Sequence, residues 1–254
     1  MSQAYDLLTD TITIAPNNAG RSINAFGFRP QDGFAYGIFS NTTELAQLGS
    51  NGTVVSLGII AGLPNANYPA GAIADDGLLY VYSSSNLNMV YVIDLTTISV
   101  VNVINVPGPT FTAPDITFNP VDNRFYAVTS GGVIAPGTLF AFDRDTGISE
   151  QIGPIGTGTS LPSMFSDESG LIYGQDRSTG ILYLLNIETG QATGIGNTGI
   201  DGSAMGGVDG FFCSANAGPL SRAVPTLSQW GLIAMTGVLG IVGFMVMRRR
   251  KLTV

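Results

Sequence analysis

The feature that most constrains this chain is a short phrase that returns at near-constant spacing: an aspartate-glycine turn with a tyrosine three residues on. Residues 28–36 read Phe-Arg-Pro-Gln-Asp-Gly-Phe-Ala-Tyr, and residues 72–80 read Ala-Ile-Ala-Asp-Asp-Gly-Leu-Leu-Tyr. Residues 118–126 read Phe-Asn-Pro-Val-Asp-Asn-Arg-Phe-Tyr, and residues 165–173 read Phe-Ser-Asp-Glu-Ser-Gly-Leu-Ile-Tyr. A last copy, residues 205–213, reads Met-Gly-Gly-Val-Asp-Gly-Phe-Phe-Cys. The anchors Tyr36, Tyr80, Tyr126, Tyr173 and Cys213 stand 44, 46, 47 and 40 residues apart. The turn column runs Asp32, Asp76, Asp122, Ser169 and Asp209, each followed by glycine or asparagine. Such a pair between apolar runs marks a hairpin, because the second residue must take positive φ.

A second hairpin follows each phrase. Tyr91 to Thr97 leads into Ile98 to Val106. Phe140 to Asp143 turns at Arg144-Asp145-Thr146-Gly147, and Tyr183 to Asn186 turns at Ile187-Glu188-Thr189-Gly190. A weaker copy runs from Leu45 to Leu48 through Asn51-Gly52 into Thr53 to Ile60. Four strands in 40–50 residues is the unit of a β-propeller blade. Ala4 to Ala15 reads as a second hairpin lacking its first, and Met205 to Ser214 as a first hairpin lacking its second. Joined, they predict a fifth blade that closes the ring and removes exposed strand edges. An open β-sandwich is the alternative, which the period disfavours. The phrase Ile23-Asn24-Ala25-Phe26-Gly27-Phe28 with Asp32 and Tyr36 resembles a family of bacterial extracellular propellers that often carry C-terminal sorting tails. That resemblance implies a fold and no reaction.

Composition agrees. Charged residues make up only 11% of the chain, and it has 34 glycines and 13 prolines. A helical bundle draws on Ala, Glu, Lys and Leu instead. The chain has no histidine and one cysteine, Cys213. Histidine triads, histidine metal ligands, thiolate zinc sites and an intrachain disulfide are thereby excluded. The glycines follow hairpins rather than strand-to-helix turns, so nucleotide-binding motifs are absent and no cofactor is expected. Residues 1–221 carry five arginines against all 18 acids. Such a head repels nucleic acid and anionic membrane surfaces.

The turn aspartates and Asp143-Arg144-Asp145-Thr146-Gly147 invite a calcium reading. Calcium needs six to eight oxygens, and each loop offers one or two carboxylates before a strand begins. Asx-capped turns explain the same residues, so no metal is expected. The tyrosines read as blade core. A hydrolase acting on glycans through Asp115 and Asp201, near the starts of two innermost strands, is the rival to a noncatalytic head.

The C-terminus follows another logic. No charged residue occurs from Leu232 to Met247, and Arg248, Arg249, Arg250 and Lys251 come next. The 18 residues from Trp230 span about 27 Å as a helix, close to the hydrocarbon thickness of a bilayer. Trp230 sits where an interfacial aromatic belongs, and the basic cluster stays in the cytoplasm by the positive-inside rule. Just before the helix, Val224-Pro225-Thr226-Leu227-Ser228-Gln229-Trp230-Gly231 resembles the Ile-Pro-Thr-Leu-x-x-Trp-Gly motif of the IPTL-CTERM sorting domain. Val224 for isoleucine is the single departure. The resemblance implies an exosortase-type membrane protease as partner, an inner-membrane anchor, and passage to the cell surface or extracellular matrix. The start, Met1 to Leu8, has neither the basic nor the apolar region of an export signal, so an upstream segment is expected.

The expected organisation is all-β: a propeller of about five blades over 1–218, a linker at 219–223, and a sorting signal at 224–254. That signal holds the motif at 224–231, one transmembrane helix at about 230–247 and a basic end at 248–251. The expected role is a noncatalytic surface protein that binds an extracellular polysaccharide or a surface protein.

Overall fold

The computed structural model describes the backbone of residues 2–6 and 11–15, and all atoms of residues 21–49, 53–86, 88–157 and 161–199. The chain divides into two units, Met1–Ser214 and Ala215–Val254. The first is an all-β propeller with four blades among the described residues. Blade 1 is β3 (Ile23–Arg29), β4 (Phe34–Phe39), β5 (Glu44–Leu48) and β6 (Val54–Ile59). Blade 2 is β7 (Ala70–Ile73), β8 (Leu79–Tyr82), β9 (Met89–Asp94) and β10 (Ser99–Asn105). Blade 3 is β12 (Ile116–Asn119), β13 (Arg124–Val128), β15 (Thr138–Asp143) and β16 (Ser149–Pro154). Blade 4 is β17 (Ser163–Ser166), β18 (Ile172–Gln175), β19 (Ile181–Leu185) and β20 (Ala192–Asn197). Ahead of them β1 (Ser2–Asp6) and β2 (Thr11–Ala15) form an antiparallel pair. A ribbon absent from the sequence reading joins β11 (Phe111–Thr112) to β14 (Gly131–Gly132).

Each blade is an antiparallel meander, so its first and third turns share one end and its middle loop lies at the other. The innermost strands β3, β7, β12 and β17 pack in series. The middle strands of blades 2 and 3 read as almost wholly apolar because both of their faces are buried between blades. Along β8, Leu79 and Val81 join the layer shared with blade 1, while Tyr80 and Tyr82 join the layer shared with blade 3. Along β13, Phe125 and Ala127 face blade 2, while Tyr126 and Val128 face blade 4. This is the strand alternation of period two, with core on both sides. The second layer is aromatic: Phe111 lies 4.4 Å from Phe140 and Phe125 5.2 Å from Phe142, centroid to centroid.

Outer strands end each blade with a β-bulge. Leu57, Val101, Ile152 and Ile195 are the extra residues opposite the third strand. Bulges twist an edge away from further pairing. In three blades the bulged aliphatic precedes glycine (Leu57-Gly58, Ile152-Gly153, Ile195-Gly196), a repeat that the tyrosine alignment passes over.

No helix occurs among the described residues, so none there is long and apolar enough to cross a membrane. The expected helix at about 230–247 and the Met205–Ser214 hairpin lie outside the described residues.

Candidate functional site

Two faces result from the meander, and each has its own chemistry. The turn face carries the repeated phrase. In blade 1, Asp32 Oδ1 accepts the Phe34 N–H at 3.1 Å, and Tyr36 donates its hydroxyl to Asp32 Oδ2 at 2.8 Å. In blade 2, Asp76 accepts Leu78 N–H at 3.0 Å and the Tyr80 hydroxyl at 2.8 Å. In blade 3, Asp122 accepts Arg124 N–H at 3.2 Å and the Tyr126 hydroxyl. The aspartate thus holds the turn with one oxygen and a buried tyrosine with the other.

Blade 4 departs from the expected column. Ser169 occupies the turn position, but Asp167 performs the function: it accepts from Ser169 N and Leu171 N, and from Tyr173 Oη at 3.2 Å. Asp167 stands at the start of the turn, its N–H bonded to Leu171 O, the place that Ala74 takes in blade 2, and its carboxylate reaches the tyrosine from there.

The third turns of blades 2, 3 and 4 are capped similarly. Asp94 Oδ1 accepts Thr96 N–H at 2.7 Å; Asp143 Oδ1 accepts Asp145 N–H, Thr146 N–H and the Thr146 hydroxyl; Asn186 Oδ1 accepts Glu188 and Thr189 N–H. These donors hold the carboxylates below the usual aspartate range, chiefly the Thr96 N–H for Asp94 and the Thr146 hydroxyl for Asp143. Burial, reinforced by the adjacent aspartates, raises the Tyr36, Tyr80, Tyr126 and Tyr173 phenols above their ordinary value. Arg144 joins this face across blades by pairing with Asp75.

At the centre, a cavity of about 70 Å³ is lined by the innermost strands, with Phe26, Phe28, Phe118 and Met164 among its apolar walls and Thr117 and Ser166 its hydroxyls. Ligand pockets for small molecules are usually about 300–1,000 Å³. Strand approach here demands small residues. A Cβ at Gly71 would lie 2.7 Å from Ala25 O, and one at Gly27 would meet the backbone of Ile73. Ala25 itself takes φ 56° within a bulge and is fully buried.

Asp115, expected to face the channel, is fully buried instead. Its Oδ1 accepts Ile116 N–H at 2.8 Å and its Oδ2 accepts Met164 N–H at 2.6 Å. It ties blade 3 to the first strand of blade 4. Asp201, the motif residues Val224 to Gly231 and the basic residues Arg248 to Lys251 lie outside the described residues.

The loop face is built differently. Linkers between blades and the middle loops are longer and richer in Asn, Ser, Thr, Gly and Pro. Hydrogen bonds within them are extensive: Tyr68 Oη donates to Pro64 O at 2.6 Å, Ser84 N to Asn67 O at 3.1 Å, and Asn88 Nδ2 to Gly108 O at 3.3 Å. Thr129 and Thr138 both donate to Ala135 O, at 2.6 and 2.8 Å. Loop-face order of this kind carries no periodic sequence signal, and the sequence reading passed over it.

Comparisons with known proteins bear on both units. A family described as a repeat of unknown function (DUF6923) matches residues 3–210, and the IPTL-CTERM motif matches residues 222–250. None of the curated proteins matches the chain. Among solved structures it is similar to Kuenenia stuttgartiensis hydrazine synthase, at 13% identity and a TM-score of 0.47, covering 72% of this chain and 53% of that one. It is also similar to virginiamycin B lyase from Staphylococcus aureus, at 10% identity and a TM-score of 0.49, covering 76% of this chain and 61% of that one. The chain therefore spans between about half and three fifths of the length of these two.

Proposed function

This chain belongs to the DUF6923 repeat family, and on that premise we propose that it is an exported, noncatalytic propeller protein sorted to the bacterial surface through its IPTL-CTERM motif. The observation that carries the reading is the motif at 222–250 directly behind a propeller head. In this proposal an exosortase-type protease recognises Val224, Pro225, Thr226, Leu227, Trp230 and Gly231. An apolar helix at about 230–247 anchors the chain, and Arg248, Arg249, Arg250 and Lys251 hold the cytoplasmic end. The head then reaches the cell surface or extracellular matrix and binds a polysaccharide or a surface protein there.

A fifth blade belongs to the same proposal, built from the β1–β2 pair and residues 205–214. Three observations support it. Ala35 and Phe39 of blade 1 and Leu182 of blade 4 belong to none of the three core layers, yet each is buried. The series of packed inner strands runs from β3 to β17, with no comparable packing of β17 on β3 among the described residues. The antiparallel β1–β2 pair supplies two strands, half of a blade.

A noncatalytic role draws support from Asp115, whose two oxygens are taken by backbone N–H groups in a buried strut. The rival hydrolase would need this carboxylate free to exchange protons with a substrate.

The sorting reading is tested with Pro225→Ala. The change alters neither the apolar length nor the charge of the tail, so membrane insertion should persist while release of the head stops. Recovery of peptides running intact from Trp230 into Leu232 from most of the mature surface protein would overturn processing.

A further inference from the structure

Charge is segregated between the two ends of the blades. Of the charged side chains described, eleven acids and Arg29, Arg124 and Arg144 belong to the turn face or the strand ends beside it. The loop face has five: Arg21 paired with Glu44 at 2.8 Å, the buried Asp115 and Asp176, and Arg177. Its other exposed polar groups are amides, hydroxyls and backbone.

Geometry separates the faces as well. At the turn face the strands are joined by tight capped turns with little surface to vary. On the loop face, linkers 60–69 and 106–115 and loop residues 83–86 and 88 form one continuous surface, because Ser84 bonds to Asn67 and Asn88 to Gly108. The β11–β14 ribbon extends it. Long loops held on a rigid scaffold are where proteins place recognition, and loops already hydrogen-bonded lose little entropy on binding.

The chemistry of the surface selects the partner. Protein interfaces are anchored by aromatic side chains, Met and Arg. Among the large hydrophobic side chains exposed in the described residues, the loop face has only Val133 and, at its margin, Ile59. Among the described residues, polyanions meet no excess of positive charge there and a strongly acidic face opposite. A neutral chain of hydroxyl groups fits: it offers many weak, partly water-mediated hydrogen bonds, and repeated units along one polymer multiply their effect.

Resting on the reading of the head as a binding module, we propose that the loop face around Asn65, Asn67 and Ser85 binds a neutral polysaccharide. All three side chains are exposed. The test uses the full chain in detergent on immobilised neutral glycans (glucans, mannans and galactans) and on alginate as the anionic control. Wild type should be retained on at least one neutral glycan and not on alginate. Asn65→Asp/Asn67→Asp/Ser85→Asp should raise the Kd more than tenfold, while Glu168→Gln/Glu188→Gln on the turn face leaves it within twofold. If the triple variant melts at a lower temperature than wild type, Asn67→Asp alone replaces it, with at least a threefold rise expected. Binding lost in the turn-face variant and kept in the loop-face variant overturns the assignment, as does retention on alginate alone. Failure on every polymer, with crosslinking from Asn67→Cys to a surface protein on cells, overturns the polysaccharide and leaves the binding module standing. Failure of both overturns both.

Discussion

At the scale of single residues, the turn aspartate has two duties, and only one is legible in sequence. An aspartate before glycine announces a turn. That its second oxygen receives a tyrosine hydroxyl four residues on, buried in the layer between blades, appears only in the fold. Tyr126→Phe tests this contact. Asp122 is exposed and regains water when the hydroxyl is removed, so the cost should be about 1–2 kcal/mol rather than that of an orphaned buried charge. For a chain of this size that lowers Tm by roughly 2–8 °C. Thermal unfolding followed by near-ultraviolet circular dichroism checks it, since residues 1–229 hold tyrosine and phenylalanine but no tryptophan. An unchanged Tm would mean that the pair contributes nothing beyond packing.

At the scale of elements, the third turns of blades 2, 3 and 4 each pack on the chain at the end of the blade before. Gly190 in blade 4 takes φ 85°, and a Cβ there would lie 2.5 Å from Gly153 O in blade 3. Ala192 N–H then bonds to Ile155 O, and Gln191 Nε2 to Pro154 O at 3.0 Å. Glycine is required twice over here, for its dihedral angle and for the closeness of the neighbouring strand. Gly190→Ala should cost at least about 2 kcal/mol, combining the left-handed penalty of about 1–2 kcal/mol with overpacking of about 1–3 kcal/mol. Urea unfolding of the two proteins side by side measures it; a loss below about 0.5 kcal/mol would show that the turn moves freely from its neighbour. Blade 2 places Ile98 at the equivalent position with φ 51°, a left-handed β-branched residue. Its backbone is tied there, with Ala61 N–H donating to Ile98 O.

At the scale of the molecule, stability should fall at both ends of the pH range. Burial raises the Tyr36, Tyr68, Tyr80, Tyr126 and Tyr173 phenols, and pushes Tyr82 up to about 12. The unfolded chain releases these protons near pH 10, while the folded chain keeps them. Their contribution is therefore complete below pH 10 and lost as pH rises through the folded values. Asp94 and Asp143 are shifted the other way, so their contribution is present above about pH 4 and lost as pH falls. A Tm plateau between roughly pH 5 and 9, falling on both sides, is the expected profile; a Tm still level at pH 12 would contradict the buried tyrosines. Removing residues 1–15 tests closure at the same scale. The truncated head should expose the edge of its last blade and associate, seen as higher oligomers in size-exclusion chromatography, whereas a monomer of unchanged Tm would remove the fifth blade from the proposal.

What the sequence by itself determined is the repeat and, through it, the class of fold. The tyrosine column, the aspartate turns and the paired hairpins recur because every blade solves the same packing problem, and a periodic solution is visible as a period. The IPTL-CTERM motif was equally legible, because its recognition depends on a contiguous run of residues rather than on a folded surface. Tertiary structure alone decided which groups touch across blades. Asp115 looked like a channel acid and proves to be a buried strut, because its partner Met164 N–H lies 49 residues away. Asp167 replaced the expected Ser169 because a carboxylate need only reach the tyrosine in space, not keep its place in a column. The β11–β14 ribbon and the charge-poor loop face left no trace in the repeat, since they arise where blades differ. Local turns and continuous motifs are written along the chain, while contacts between distant segments come into being when four blades are set side by side.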